Sequence, residues 1–179
     1  MKKVFQGIVY SVWQYEQTMY DGSKATFEKI SRKDYACAIG VLPDKRILLI
    51  EDTQPDRNMV ITPAGGGVED SEKPIEAAQR ELLEETGYST KNIIPFFSYQ
   101  SHARMQCTCH FFIARDIKKT SEPKLEAGEK VKPILFSFDE FLELGKNSHV
   151  RDLMLRIKLL EALLDSKKRA ELEKLFYGN

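Results

Sequence analysis

The chain has 179 residues, 42% of them hydrophobic and 30% charged, the profile of an ordinary globular protein long enough to bury one full core. Lys and Arg together number 27, as do Asp and Glu, so the formal net charge is zero. That balance argues against a nucleic-acid partner, which requires a basic excess or stripe; an anionic ligand must be met by a few placed cations or by metal ions. The opening segment MKKVFQGIVY lacks the long apolar core of a signal peptide. No apolar run approaches the ~20 residues that span a bilayer. A cytoplasmic protein without a membrane partner is the expectation.

In chain order, residues 4–30 read as two or three short strands, with Val4, Ile8, Val9, Val12 and Trp13 supplying β-branched and aromatic content. Tyr20-Asp21-Gly22-Ser23 marks a turn between them. Tyr35–Val41 is continuously apolar, as in a strand covered on both faces. Asp44-Lys45 turns the chain into a second central strand, Ile47–Ile50, and residues 51–59 read as a polar loop ahead of Val60–Thr62 and the glycine-rich run Gly65-Gly66-Gly67. Pro74 opens a helix and Gly87 closes it. Strands are expected over Ile93–Tyr99 and Met105–Ala114, a charged loop over 115–130, a strand over Ile134–Phe138 and a short helix over Asp139–Leu144. Val150–Leu164 carries apolar residues at helical spacing, and residues 166–177 read as a charged, peripheral helix. The three cysteines, Cys37, Cys107 and Cys109, are odd in number and form no CxxC pair. Cys107 and Cys109 alternate with Gln106 and Thr108, so they read as the buried face of a strand rather than as metal ligands.

The helix after Pro74 carries the chemistry. Glu81, Glu84 and Glu85 stand at i, i+3 and i+4, which at ~100° per residue places them on one side of the helix. Like charges so stacked repel by a few tenths of a kcal/mol per pair. A plain surface helix gains nothing from this, whereas a site for hard divalent cations gains oxygen ligands. The upstream glycines allow backbone to pass close to such ions. The full pattern is Gly66, five residues, Glu72, seven residues, then Arg80-Glu81, Glu84-Glu85 and Gly87. Seven specified residues at a usage of roughly 6% each coincide by chance less often than about once in 10⁸ starts.

This pattern matches the Nudix box at every fixed position, and the chain is identified as a member of the Nudix hydrolase superfamily. The resemblance implies an α+β fold (an α/β/α sandwich) with a mixed central sheet between helices and an N-terminal antiparallel strand extension. The chain is expected to divide into that extension over 1–34, the hydrolase domain over 35–165 and a helical tail over 166–179 that lies beyond the resemblance. It further implies that Glu81, Glu84 and Glu85, with the main-chain carbonyl of Gly65, bind Mg²⁺, for which Mn²⁺ can substitute. Glu72 and Arg80 would brace loop against helix, with Gly66 and Gly87 as structural supports. Metals so held polarise phosphoryl oxygens and lower the pKa of an attacking water.

Beyond the box, roughly residues 5–165 resemble the ADP-ribose pyrophosphatase branch. The N-terminal side does so through Trp13, Tyr20-Asp21-Gly22, Phe27-Glu28 and Arg32; the C-terminal side through Glu126–Val131, Ser137–Phe141 and the helix from Val150. In that branch the N-terminal strands often exchange across a homodimer, and a glutamate on the loop before the last strand acts as base for the water or completes the metal site. Glu129 is the first candidate here and Glu126 the second, with Glu85 beside them. Arg32 and Trp13 are candidate substrate contacts. Many members follow the second central strand with Glu-Gln-x-Arg, whose arginine reaches the diphosphate. This chain reads Glu51-Asp52-Thr53-Gln54, which puts Gln54 at the substrate and leaves Arg57 or Arg104 to supply the cation. The expected activity is Mg²⁺-dependent hydrolysis of the diphosphate bond of a nucleoside diphosphate linked to another moiety, with ADP-ribose or a related nucleotide sugar leading. The alternatives are a housecleaning nucleoside triphosphate pyrophosphatase and a non-catalytic nucleotide-sensing domain; RNA decapping is disfavoured by the missing basic patch.

Overall fold

The structure, a computed structural model, describes residues 1–125 and 127–178. Among the described residues, twelve strands and four α-helices follow one another as β1 (Lys2–Gln6), β2 (Ser11–Thr18), β3 (Lys24–Ser31), β4 (Tyr35–Val41), β5 (Ile47–Gln54), β6 (Arg57–Thr62), β7 (Ala64–Gly67), α1 (Pro74–Thr86), β8 (Tyr88–Ser89), β9 (Asn92–His102), β10 (Met105–Arg115), β11 (Lys118–Lys119), β12 (Lys130–Phe136), α2 (Phe138–Glu143), α3 (Leu153–Leu164) and α4 (Ser166–Tyr177). The main sheet runs β1-β2-β3-β10-β4-β5-β12, with β6 on β5, β7 on β4 and β9 on β10. It is mixed: β10 runs parallel to both β3 and β4, while the other pairings are antiparallel. This is the helix–sheet–helix α+β architecture expected from the resemblance.

The apolar strands explain the layering. In β4, Cys37, Ile39 and Val41 enter one core while Ala36 and Ala38 enter the other. In β10, Phe111 and Ile113 divide from Phe112 and Ala114 in the same way. A strand with period-two side chains and apolar residues on both faces must be covered on both. The helix α1 covers one face through Ala77, Ala78 and Leu82. The other face is covered by Phe141 and Leu142 of α2, Leu155 and Leu159 of α3, and Leu172 and Phe176 of α4.

Several element limits differ from the sequence expectation, each for a local reason. The segment 51–59 is not a loop. Glu51 and Asp52 pair with β12 on one side and with β6 on the other, and the chain reverses only at Pro55-Asp56. Its polarity belongs to the side chains; its backbone is fully engaged in the sheet. The glycine run is itself a strand, since Gly65, Gly66 and Gly67 pair with Cys37, Ala36 and Tyr35. Strand β12 begins earlier and ends at Phe136, because Ser137 caps α2: its Oγ accepts from Glu140 N–H, and Glu140 Oε2 accepts from Ser137 N–H at 2.8 Å. The helix α3 starts at Leu153 rather than Val150, because Asp152 Oδ1 accepts the Leu155 N–H at 2.7 Å. Residues 115–130 contain a two-residue pairing of β11 with β8.

The C-terminal helix also departs from expectation: it is charged but not peripheral. Phe176 has no exposed surface and meets Phe96, Phe138 and Phe141 with ring centroids 5.3–6.2 Å apart. The Arg115 guanidinium reaches over to donate to the Leu175 carbonyl. Charged positions on α4 hide an apolar stripe one turn apart, which is all a covering helix needs. Replacing Phe176 with Ala should lower the unfolding free energy by about 3–5 kcal/mol, read from the urea midpoint at unchanged slope.

Candidate functional site

The helix α1 is held at both ends. Pro74 occupies its first turn, Glu76 Oε2 accepts from the Lys73 N–H at 3.0 Å, and Gly87 ends it at φ 74°, donating its N–H to the Leu83 carbonyl. A side chain at Gly87 would meet both the left-handed backbone and the Ser121 carbonyl, 2.1 Å from its Cβ. With both ends fixed, the glutamates on α1 face the β7 backbone.

Arg80 organises that face. Its Nε and Nη2 form a fork on Glu72, at 3.0 and 3.1 Å; Nη2 also donates to the Gly67 carbonyl, and Nη1 donates to Glu81 at 2.7 Å and Glu84 at 3.1 Å. These hydrogen bonds hold Glu72 below the usual carboxylate range and keep the guanidinium firmly charged. Glu85 lies deeper and accepts the Gly65 N–H at 2.8 Å. Burial, with Glu81, Glu129 and Asp52 as like-charged neighbours, pushes Glu85 up to about 8. Burial also raises Glu81, although Arg80 opposes it. Gly66 permits this closeness, for a Cβ there would stand 2.3 Å from Glu81 Oε1.

Beside this face opens a cavity of about 550 Å³, walled by Gly65–Gly67, Glu85 and Glu129, and by Arg32, Gln54, Arg57 and Arg151. Its floor includes Tyr35, Tyr99, Cys107 and Cys109. Tyr35 donates its hydroxyl to the Gly65 carbonyl at 3.0 Å and accepts from Arg151 Nη2 at 2.7 Å. Asp52, only 5% exposed, takes Arg57 Nη2 at 2.7 Å and stands 3.8 Å from Arg151 Nη1, both at Oδ2. Tyr99 donates to Asp152. Burial raises the thiols of Cys107 and Cys109, the latter to about 11, so both stay protonated at neutral pH. A second cleft of about 530 Å³, beside Phe136, Leu163 and Arg169, lies away from these groups.

The candidate residues are therefore distributed unevenly. Glu85, Glu129, Gly65, Gly66, Arg32 and Gln54 share the cavity, with Glu81 and Glu84 on α1 tied through Arg80 to Glu72. Trp13 does not line the cavity of its own chain; its indole donates to Ser31 Oγ at 2.8 Å and its ring lies under Lys3. Glu126 falls outside the described residues. Arg104 stacks over Phe27 at the β9–β10 turn. Tyr35, Arg151 and Asp152, which line the cavity, and Asp52, which holds two of its arginines, were not among the site candidates drawn from the sequence. The one sequence signal for Asp52 was a carboxylate in step with buried Leu48 and Ile50; Arg151 lies some 65 residues from the box and gave none.

A divalent cation fits this donor set. Carboxylate oxygens and a glycine carbonyl are the ligands hard ions take, and burial, with like-charged neighbours adding to it, raises Glu81 and Glu85, a penalty on the charged forms that a bound cation would offset. Among the described residues, no three His, Cys, Asp or Glu side chains already converge into a closed ligand set. Arg80 donates to Glu81 and Glu84, whereas Glu85 accepts from the Gly65 N–H.

Comparison with known proteins agrees with this geometry. The chain matches the NUDIX domain over residues 31–156. It is 24% identical over 155 residues to the ADP-ribose pyrophosphatase of Bacillus subtilis (strain 168), covering 84% of this chain and 83% of that protein. It is equally similar, 24% over 154 residues, to the methanol dehydrogenase activator of Bacillus methanolicus. The crystal structure of an ADP compounds hydrolase superposes with a TM-score of 0.74 at 16% identity, covering 93% of this chain and 92% of that one. With the match spanning most of its length and the box intact on α1, the chain belongs to the Nudix hydrolase family and resembles its ADP-ribose pyrophosphatase-like branch.

Proposed function

We propose that the protein hydrolyses the diphosphate bond of a nucleoside diphosphate linked to another moiety, ADP-ribose or a related nucleotide sugar first, and uses Mg²⁺ to do so. The observation that carries this reading is the meeting of Glu85, Gly65 and Glu129 with Arg32, Arg57 and Arg151 in one cavity. Anion-binding and cation-binding groups within a single cleft suit a metal-bound polyphosphate. The names of the two similar proteins, an ADP-ribose pyrophosphatase and an ADP compounds hydrolase, support the substrate class.

Glu81, Glu84 and Glu85, with the Gly65 carbonyl, would hold the metal, which would supply polarisation of the phosphoryl oxygens and a more acidic water. Tyr35 fixes the direction of the Gly65 carbonyl through its hydroxyl, and Arg80 with Glu72 fixes the helix against β7. Glu129, close enough to raise Glu85 electrostatically, takes the proton from the water. Arg32 and Gln54, which line the cavity, contact the substrate. Trp13 serves the nucleotide only across a dimer interface. The exposed apolar side chains Val4 and Phe5 on β1 and Ile8 and Val9 in the bend after it favour such a homodimer.

Screening nucleotide sugars, dinucleotides and nucleoside triphosphates with Mg²⁺ should give a nucleoside monophosphate and a phosphorylated remainder from the nucleotide sugars first. Release of pyrophosphate from triphosphates as the fastest reaction would replace this reading with the triphosphate pyrophosphatase. Glu85→Gln should keep the fold and lower turnover by more than about 100-fold, beyond the loss typical of contacts one step removed from a metal. Near-normal turnover in that variant removes the metal assignment.

The metal-free protein has a pH signature. Folded Glu85 keeps its proton up to about 8, whereas an unfolded glutamate loses it near ~4.3. The stability from this proton is fully present below the unfolded value and is lost as pH rises through the folded one. Melting temperature in chelator should therefore fall between pH 5 and 9 in the wild type, and Glu85→Gln should lessen the fall. Light scattering should return twice the chain mass, and a monomer at micromolar concentration would exclude the shared pocket.

A further inference from the structure

We propose that Arg57 and Arg151, oriented from below by Asp52, form a two-guanidinium clamp for the diphosphate of the substrate. The inference deepens the diphosphate-hydrolase reading and rests on it for the identity of the ligand, but the clamp itself stands on the geometry of three side chains. Arg57 comes from the start of β6 and Arg151 from the segment before α3, and the two guanidiniums meet at one oxygen, Asp52 Oδ2, at 2.7 and 3.8 Å. Each guanidinium carries five N–H donors. One carboxylate oxygen uses a small part of that capacity, and both arginines line the cavity while remaining about one-third exposed.

A purely structural ion pair would be arranged otherwise. Asp52 is buried, yet its Oδ1 has no hydrogen-bond partner among the described residues. Buried carboxylates in structural pairs satisfy both oxygens, because an orphaned acceptor costs more than the pair returns. Here the carboxylate spends one oxygen on aiming two cations and leaves the other without a partner. Arg151 is also fixed independently of Asp52. The Ile61 N–H donates to the His149 carbonyl at 2.8 Å and the Arg151 N–H donates to the Ile61 carbonyl at 3.0 Å, so the backbone is pinned on both sides of Val150. Its Nη2 donates to Tyr35 Oη, which donates onward to the Gly65 carbonyl. The fork is thus two hydrogen bonds from the glycine backbone that Glu85 also grips. Pre-organised, planar and doubly charged, the pair matches the oxygens of a phosphoryl group next to the carboxylate cluster.

Arg32 and Arg104 delimit the claim. Arg32 lines the same cavity with its guanidinium over Tyr10 and touches neither Asp52 nor Tyr35 in the described contacts. Arg104 has the same charge but stacks over Phe27, outside the cavity.

The test is binding of inorganic pyrophosphate to the full-length protein in chelator, by titration calorimetry, so that neither metal nor turnover enters the readout. Wild type should bind with an affinity that falls as salt rises. Arg57→Gln and Arg151→Gln should each weaken it by about tenfold or more, the loss of a charge-assisted contact, while Arg104→Gln leaves it unchanged. Arg151→Lys retains the charge facing Asp52 and loses the fork; it should stay weakened, and it carries the test if the Gln variant fails to fold. Pyrophosphate affinity equal to wild type in both Gln variants, equal loss in Arg104→Gln, or no binding by the wild type would each overturn the clamp. Should the clamp variants lose pyrophosphate as expected while the wild type with Mg²⁺ cleaves no diphosphate, the clamp stands and the hydrolase reading falls. Normal cleavage with unaltered KM in both Gln variants overturns the clamp and leaves the hydrolase reading intact.

Discussion

Four carboxylates, from Glu72, Glu81, Glu84 and Glu85, crowd one side of α1 and the loop before it, and the guanidinium of Arg80 lets them do so. It satisfies three of the four directly and ties the Gly67 carbonyl to the same hub. Without it, like charges at helical spacing on a half-buried face would push α1 away from β7. The fourth, Glu85, receives no guanidinium and is buried against the Gly65 N–H instead. Arg80 therefore divides the cluster into a braced group and one proton-holding carboxylate, and that division aims the site at the cavity.

The same logic extends outward through the glycine strand. Because β7 pairs with β4, the Gly65 peptide is presented edge-on, its N–H to Glu85 and its carbonyl to Tyr35. Tyr35 begins β4, so the first residue of the central strand touches the site while the rest of that strand builds both cores. Packing and chemistry meet at one residue. From Tyr35 the network passes to Arg151 and, through Asp52, to Arg57, and both arginines line the cavity. The cavity thus brings carboxylates and guanidiniums together, with Arg151 linked through Tyr35 to the Gly65 carbonyl.

The helices on the other face support this from a distance. The α2–α4 layer fills the core beneath β4 and β10, and the segment leading into α3 is sewn to Ile61 by two backbone hydrogen bonds. That seam delivers Arg151 and Asp152 to the cavity. A helix read as peripheral, α4, secures the layer through Phe176 and so acts on the site by holding its scaffold.

Local spacing alone determined a great deal. Glu81, Glu84 and Glu85 share a face because an α-helix repeats every 3.6 residues, Pro74 and Gly87 bound that helix by their own backbone preferences, and an all-apolar Tyr35–Val41 had to be a strand covered twice. Each of these follows from neighbours a few residues apart. What only the tertiary structure decided are the contacts between segments far apart in the chain. Nothing near Asp52 announced that its carboxylate would be buried under Arg151, 99 positions later, or that β5 would run on through Glu51–Gln54 with partners on both sides. Nor did the lysines and glutamates of α4 disclose a phenylalanine with no exposed surface. Propensity and periodicity report the local backbone; which charge meets which is set by sheet register and layer packing, and those exist only once the chain has closed on itself.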